Sequence, residues 1–333
     1  MKQRGFRYCS TCKNKLQKWS KTAAGTPRWR CPKCAKTQTR KRADLSRALL
    51  LERFVKWLMG KQSQSELGMS DRTWRDKTTW CWNIVPKPEL TGEVYEIILV
   101  DGIRISNLVD LIARTPKAVI NWYWAAQETS YTWEELLKTM PPPTVVVCDG
   151  QKGILLAIKR QWPNTRIQRC IFHVWQNTRT KLSLHPKAEA GQELLNLARE
   201  LLKGIYTQEE ALRWQAKLAA WGKRYGYLIK ERTYADNPRP GKHNWWYTHG
   251  RLRSAYRQFE KLLKENQLFN YLETDLTTQP IPRMTNYVEG GINSQIRTKL
   301  KLHRGLNQTH QQRLTDWYLY SRTNDQKPTR NCL

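Results

Sequence analysis

The sequence predicts an α/β core with a mixed sheet, split by a long helical stretch and preceded by a cysteine-knuckle module and a pair of helices. Three observations predict this. Two CxxC pairs lie within the first 34 residues. Between residues 93 and 184, β-branched runs that end in Asp-Gly alternate with helical periodicity. From residue 185 to 280 the apolar spacing is helical, and no strand pattern resumes afterwards. The boundaries read as 1–43 for the knuckle module, 44–85 for the helical pair, 93–184 for the first part of the core, 185–280 for an all-helical insertion, 281–320 for the last part of the core, and 321–333 for a polar, disordered tail.

In the first module, Cys9-x-x-Cys12 and Cys31-x-x-Cys34 stand eighteen residues apart. Each pair can turn two sulfurs towards one ion, which is the four-thiolate pattern of a structural zinc ribbon. The segment has little apolar mass, so one Zn²⁺ would supply the missing stabilisation. Gly25-Thr26-Pro27 reads as the turn between two short strands. A redox dithiol pair is the alternative.

In the second module, Leu49, Leu50, Phe54, Trp57 and Leu58 repeat at helical spacing, and Gly60 ends that helix. Ser63 to Leu67 forms a short helix. Gly68-Met69-Ser70 turns, and Ser70 caps a helix carrying Thr73, Trp74, Arg75 and Lys77. These are the parts of a helix-turn-helix, and those four residues are its candidate DNA contacts. An ordinary helical linker is the alternative.

The core begins after Pro86-Lys87-Pro88. Three strands are predicted, at 95–100, around Ile103 to Asn107, and at 117–126; then a helix, a strand at 144–148, a helix, a strand at 166–170 and a helix from His173. Asp101 and Asp149 each close a β-branched run and precede Gly. Active groups gather beyond the carboxyl ends of strands in open sheets. Two carboxylates brought together there would repel each other unless a hard divalent cation, Mg²⁺ or Mn²⁺, sat between them. Turn chemistry at a strand end is the alternative for either acid alone. Cys170 and His173 sit on a strand-to-helix turn at a spacing that could bind a metal, although only two ligands are evident; buried packing is the alternative. In the insertion, Trp214 and Trp221 fall on an apolar stripe. Trp245 and Trp246 lie in a loop beside Lys242 and His243 and are candidates for stacking on a base.

The net charge of +30, from 58 Lys and Arg against 28 Asp and Glu, calls for a polyanionic partner. Residues 1–43 hold fourteen of those cations and no acid. Nucleic acid is the default partner, since each neutralised phosphate releases counterions. No apolar run approaches the ~20 residues of a membrane helix, no signal-peptide core is present, and eight scattered or paired Cys fit a reducing compartment. The expectation is a soluble, cytoplasmic protein without a membrane partner.

One further element makes the pattern specific: Thr285-Asn286-x-x-Glu289, followed by a basic stretch with Arg297, Lys299 and Arg304. Zinc ribbon, helix-turn-helix, strand–Asp101, strand–Asp149, Cys170-Ile171-Phe172-His173, helical insertion and TNxxE, in that order, resemble a bacterial insertion-sequence transposase of the Mutator-type DDE superfamily. The resemblance implies an RNase H-like catalytic core interrupted by the insertion, which explains the 140 positions between Asp149 and Glu289. It implies Asp101, Asp149 and Glu289 as catalytic residues holding two Mg²⁺ or Mn²⁺ ions, with Cys170, His173 and Asn286 as auxiliaries. It also implies DNA contacts from Arg297, Lys299 and Arg304. Terminal inverted repeats and target DNA would be the partners. Pairing two ends implies at least a homodimer on DNA, in a bacterial or archaeal, nucleoid-associated setting. A nuclease or resolvase on the same fold, and an inactive DNA-binding regulator, are the rival readings. The sequence ties Asp101 and Asp149 to strand positions, whereas only the TNxxE setting ties Glu289 to them.

Overall fold

The computed structural model describes residues 8–9, 11–23, 25–39, 43–237, 241, 243–285, 288–324 and 332, without the side chains of 43–46, 65 and 289. The chain divides into two compact units, one reaching to Val85 and one from Pro86 to Gln326.

In the first unit, strands β1 (Gln17–Lys21), β2 (Pro27–Arg30) and β3 (Thr37–Thr39) form an antiparallel sheet in that order. Its apolar centre is only Cys9, Leu16 and Cys31, with Cys12 and Trp29 packed against them. Helix α1 (Ala43–Met59), a 3₁₀ turn (Gln64–Leu67) and helix α2 (Asp71–Thr78) follow. Ser63 and Glu66 cap the turn reciprocally, and the Ser70 hydroxyl accepts from the Thr73 N–H at 3.2 Å. The predicted apolar stripe is shifted: Leu51 is buried and Leu49 is exposed. Trp74 is only 1% exposed and stacks edge-on with Trp57 at 5.7 Å. It therefore holds the two helices together and is not available as a DNA contact. It shares an inward helix face with Thr78, whereas Arg75 and Lys77 face solvent. Thr73 is half-buried, with its hydroxyl bonded to that of Ser70 at 2.9 Å.

The second unit is built on a five-stranded sheet of order β6-β5-β4-β7-β8. Its strands are β4 (Ile97–Ile105), β5 (Leu108–Arg114), β6 (Val119–Ala125), β7 (Val145–Cys148) and β8 (Arg166–Arg169). β4, β5 and β6 pair antiparallel, whereas β4–β7 and β7–β8 pair parallel. The expected strand around 103–107 is absent. β4 continues through Ile105, the hairpin turns at 106–107 with Ser106 at φ +51°, and the second strand is β5. Helices α3 (Ser130–Leu137) and α4 (Lys152–Gln161) cover one face, where Trp133, Leu136 and Ile154 meet Ile98, Val100, Leu111 and Val146. On the other face Ile97, Leu99, Val145 and Val147 pack under Ile281 and Val288.

Helix α5 (Ile171–Leu182) leads from β8 into α6 (Glu189–Lys203), α7 (Gln208–Tyr225) and α8 (Gly250–Lys264). These share a separate core with Trp214, Trp221 and Phe259 at its centre. Both indoles donate to buried carbonyls, Trp214 to Leu197 and Trp221 to Ala190, each at 2.9 Å, so core packing is their role. The insertion is not all helical. Strands β9 (Arg232–Tyr234) and β10 (Trp245–Tyr247) pair antiparallel. Three residues per strand is too short to register as alternation in the sequence. A five-residue π-helical turn (Glu289–Asn293) then opens α9 (Ser294–Leu302), and α10 (Gln308–Tyr320) closes the unit. The expected disorder at 321–324 is absent: Val119 donates to the Arg322 carbonyl at 2.9 Å and bridges to Thr323. Residues 325–331 and 333 lie outside the described residues.

Candidate functional site

The four knuckle cysteines converge. Their sulfurs all lie within 4.8 Å of one another, the only such grouping of three or more metal-binding side chains among the described residues. Cys9 and Cys34 are 3.5 Å apart and Cys12 and Cys31 3.3 Å, far beyond a disulfide bond of about 2.05 Å. All four are free thiols. The Cys9 thiol is lowered to about 6, chiefly by the Cys12 and Thr11 backbone N–H groups. The Cys34 thiol is pushed up to about 12: the Lys36 N–H lowers it, but the neighbouring sulfurs outweigh that. Four sulfurs this close cannot all ionise without a shared cation, and tetrahedral thiolate donors suit zinc.

The second site gathers at one end of the five-stranded sheet. Leu99 and Val147 are opposite one another in the parallel β4–β7 ladder, and Asp101 and Asp149 each lie two residues further on. They therefore share the alternation of the face that Val288 covers. Asp149 directly follows the last residue of β7, but Asp101 does not end its strand. It sits mid-β4 opposite Ile112, because the antiparallel β5 pairing extends β4 beyond the point where its parallel neighbour stops. Asp101 is 8% exposed.

A tight turn follows Asp149. Gly150 has φ +75°, and a Cβ there would fall 1.8 Å from the Arg169 guanidinium. Arg169 lies across that glycine and donates to the Asp149 carbonyl from Nε at 3.2 Å and Nη2 at 2.7 Å. The Gln151 N–H donates to Asp149 Oδ1 at 3.0 Å.

The segment after the insertion folds back onto these strands. Thr285 donates to Cys170 Sγ from its N–H and its hydroxyl, both at 3.3 Å, and Ile171 N–H donates to the Arg283 carbonyl at 3.0 Å. Val288 is buried against β4 and β7. Asn293 donates from Nδ2 to Asp101 Oδ2 at 3.1 Å across 192 positions of sequence. Glu289 opens the turn between Val288 and Asn293. Its side chain lies outside the described residues, as does Asn286.

Three residues here escape sequence reading. Asn293 and Arg169 have no motif of their own. Glu128 stands in a polar stretch between β6 and α3, and nothing in its spacing marks it. Its carboxylate lies 3.3 Å from where a Cβ on Gly102 would be, and Trp133 Nε1 donates to its Oε1 at 3.1 Å. Burial, and then the charge of Asp149, hold the Glu128 carboxyl above its ordinary range, while Arg104 and His173 oppose the shift. Cys170 is fully buried and links the two chain segments, with no exposed thiol.

Of the remaining predicted residues, Arg297 and Arg304 are exposed, and Lys299 is half-buried 5.9 Å from the Tyr318 ring. Trp245 is sandwiched by the Arg232 guanidinium at 4.0 Å and His243 at 4.5 Å, whereas Trp246 is 54% exposed.

The fold is thus a mixed-sheet α/β protein, with Asp101 within β4 and Asp149 just after β7. Comparison with known proteins finds transposases among the similar sequences. Residues 112–237 match the sequence model of a family described as transposase, Mutator family. A transposase for insertion sequence element IS6120 of Mycolicibacterium smegmatis is 27% identical over 154 residues, 44% of this chain and 42% of that protein. A transposase for insertion sequence element IS1201 of Lactobacillus helveticus is 25% identical over 119 residues, 34% of this chain and 31% of that protein. These matches support the likeness to an insertion-sequence transposase, although the chain spans less than half the length of the curated relatives it matches. No helix among the described residues is long and apolar enough to cross a membrane.

Proposed function

We propose that this chain is a DNA transposase of an insertion sequence, with Asp101, Asp149 and Glu289 as the catalytic acids of an RNase H-like core. The observation that carries this is the return of the 285–293 segment across the insertion onto Asp101, through the Asn293–Asp101 hydrogen bond and the burial of Val288. The donor set suits a hard divalent cation: carboxylate oxygens from neighbouring strands. Asp101 and Asp149 would hold two Mg²⁺ or Mn²⁺ ions with Glu289. Bound there, the ions would activate a nucleophile and stabilise the leaving oxygen of an in-line displacement.

The protein's own residues orient these groups. Arg169 fixes the Asp149 turn, and Asn293 fixes one oxygen of Asp101. Cys170, His173 and Asn286 act as auxiliaries: Cys170 ties the Thr285 element to the strand end. Water opens a phosphodiester at the element's end and frees a 3′-OH. That hydroxyl then attacks target DNA at the same site. Arg75, Lys77, Arg297, Lys299 and Arg304 contact phosphates, and the Zn²⁺-bound knuckle module and the helix pair bind terminal inverted repeats. Trp246, open at the β10 strand, is the better stacking platform for a displaced base; Trp245 already packs against Arg232, His243 and Tyr247. The net charge of +30 fits this role. The protein would act as a homodimer or larger assembly in the cytoplasm, on the nucleoid.

A strand-transfer assay with the element's end sequence tests the reading. Joining that needs Mg²⁺ and disappears in Asp149→Ala supports it. Metal-dependent cutting without joining indicates a nuclease. Binding without cutting, unchanged by Asp149→Ala, indicates a regulator.

A further inference from the structure

The π-helical turn ends on Asn293, whose amide oxygen is left without a partner. Asn293 is 5% exposed. Its Nδ2 donates to Asp101 Oδ2 at 3.1 Å, but its Oδ1 is buried with no hydrogen-bond partner. An orphaned buried acceptor costs ~1–3 kcal/mol, and here it lies within one amide of a carboxylate. The turn that carries Asn293 is built for it. Gly290 and Gly291 keep the widened backbone free of side chains. Tyr318 donates from its hydroxyl to the Gly291 carbonyl at 3.3 Å, and Ser294 donates to that of Gly290. π turns of this kind are rare and collect at functional sites.

A second buried asparagine shows the contrast. Asn270 is 1% exposed and also has an unpartnered Oδ1. Its Nδ2, however, donates to two backbone carbonyls, Ile167 at 2.8 Å and Asn266 at 2.7 Å. Asn270 therefore braces the backbone, whereas Asn293 is aimed at an acid.

We infer that Asn293 is a positioning residue for a hydrated divalent cation: Nδ2 holds one oxygen of Asp101, and Oδ1 accepts a hydrogen bond from a water of the ion's shell. Mg²⁺ keeps several waters and takes few protein ligands, so it brings donors to an acceptor placed beside a carboxylate ligand. Groups that orient metal ligands in this way are worth ~10–100-fold in ion affinity. The inference rests on the reading of Asp101 and Asp149 as ligands.

Mn²⁺ binding to the full-length, zinc-loaded protein, followed by the electron paramagnetic resonance of free Mn²⁺, tests it. Asn293→Leu should bind Mn²⁺ about ten-fold more weakly than the wild type. Asn270→Leu should lower the metal-free melting temperature and leave Mn²⁺ affinity unchanged. Asn293→Asp, which keeps an acceptor and adds charge, should bind at least as tightly as the wild type. Wild-type affinity in Asn293→Leu, with weakened binding in Asp149→Asn, overturns the role of Asn293 and leaves the acids as ligands. Wild-type affinity in both Asp101→Asn and Asp149→Asn overturns the underlying reading, and this inference with it. If Asn293→Leu does not fold, Asn293→Asp decides: affinity at or above wild type supports the inference, and lower affinity contradicts it.

Discussion

The two sites are assembled in opposite ways. The knuckle site draws its four sulfurs from 26 consecutive residues, and they converge within 4.8 Å around almost no apolar core. The acid site draws on β4, β7 and a turn 192 positions beyond Asp101, and the buried sheet holds these in place. On the proposed reading the first site would need Zn²⁺ in order to fold. The second would be held in place by the buried sheet beneath it. Perturbations should therefore separate cleanly between the two units.

The largest effect should come from removing metal from the knuckles. Structural zinc contributes on the order of 10 kcal/mol to small modules of this kind. A thiol-competent chelator, or Cys12→Ser, should open residues 8–39 to proteolysis and leave the sheet around Asp149 protected. Digestion mapped by mass spectrometry reads this. A knuckle segment that stays resistant after complete zinc removal would break the comparison.

Next in size is Asp149→Asn. Metal stabilisation of phosphoryl transfer is worth several kcal/mol, so cleavage should fall by at least about 10³-fold. The melting temperature should stay close to that of the wild type, because Asp149 lies just outside the strand. A parallel loss of fold and rate would mean that the acid is structural.

A pair of glycines sharpens the contrast further. Gly68 and Gly150 both have positive φ, +69° and +75°, but a Cβ at Gly68 meets nothing within 4 Å. Gly68→Ala should cost about 1 kcal/mol of backbone strain alone. Gly150→Ala should cost about 1–3 kcal/mol and also slow cleavage, by driving Arg169 off the Asp149 carbonyl. Equal thermal and kinetic effects from the two would rule out the Arg169 bracing.

The smallest effect concerns Asp110, fully buried on the Asp101 face with neither oxygen bonded. Burial, and then the neighbouring Asp316, hold its carboxyl well above the ordinary range. A carboxyl raised in the folded state favours folding below its unfolded value near 3.8, and that support is lost as pH rises towards the folded value. Asp110→Asn should therefore stabilise the second unit at pH 7 by roughly 1 kcal/mol, about 2–4 °C. The gain should vanish below pH 4. Thermal melts across pH decide this. A variant that is less stable at pH 7 would mean that Asp110 serves while ionised.

What could be read from the sequence follows the same division. Cys9, Cys12, Cys31 and Cys34 are legible because a local motif fixes which groups can meet. Asp149 is legible because a strand ends where its β-branched run ends. The sequence pattern puts Asp101 at a strand end, whereas pairing with β5 carries β4 four residues further, to Ile105. Trp74 reads as a candidate DNA contact because helix periodicity alone does not say which face is inward, and it is buried. Glu128, Arg169 and Asn293 are unmarked in sequence, because only tertiary folding brings them to the acids. The β9–β10 hairpin is too short to impose a pattern.

The central claim is that Asp101, Asp149 and Glu289 surround one ion-binding site. Replacing Mg²⁺ by Fe²⁺ in the zinc-loaded protein, with ascorbate and peroxide, generates hydroxyl radicals that cut the backbone nearest the bound iron. Cuts at three separated places, near residues 101, 149 and 289, are predicted, and excess Mg²⁺ should suppress all three together. Cuts near 101 and 149 with none near 289 would contradict the claim.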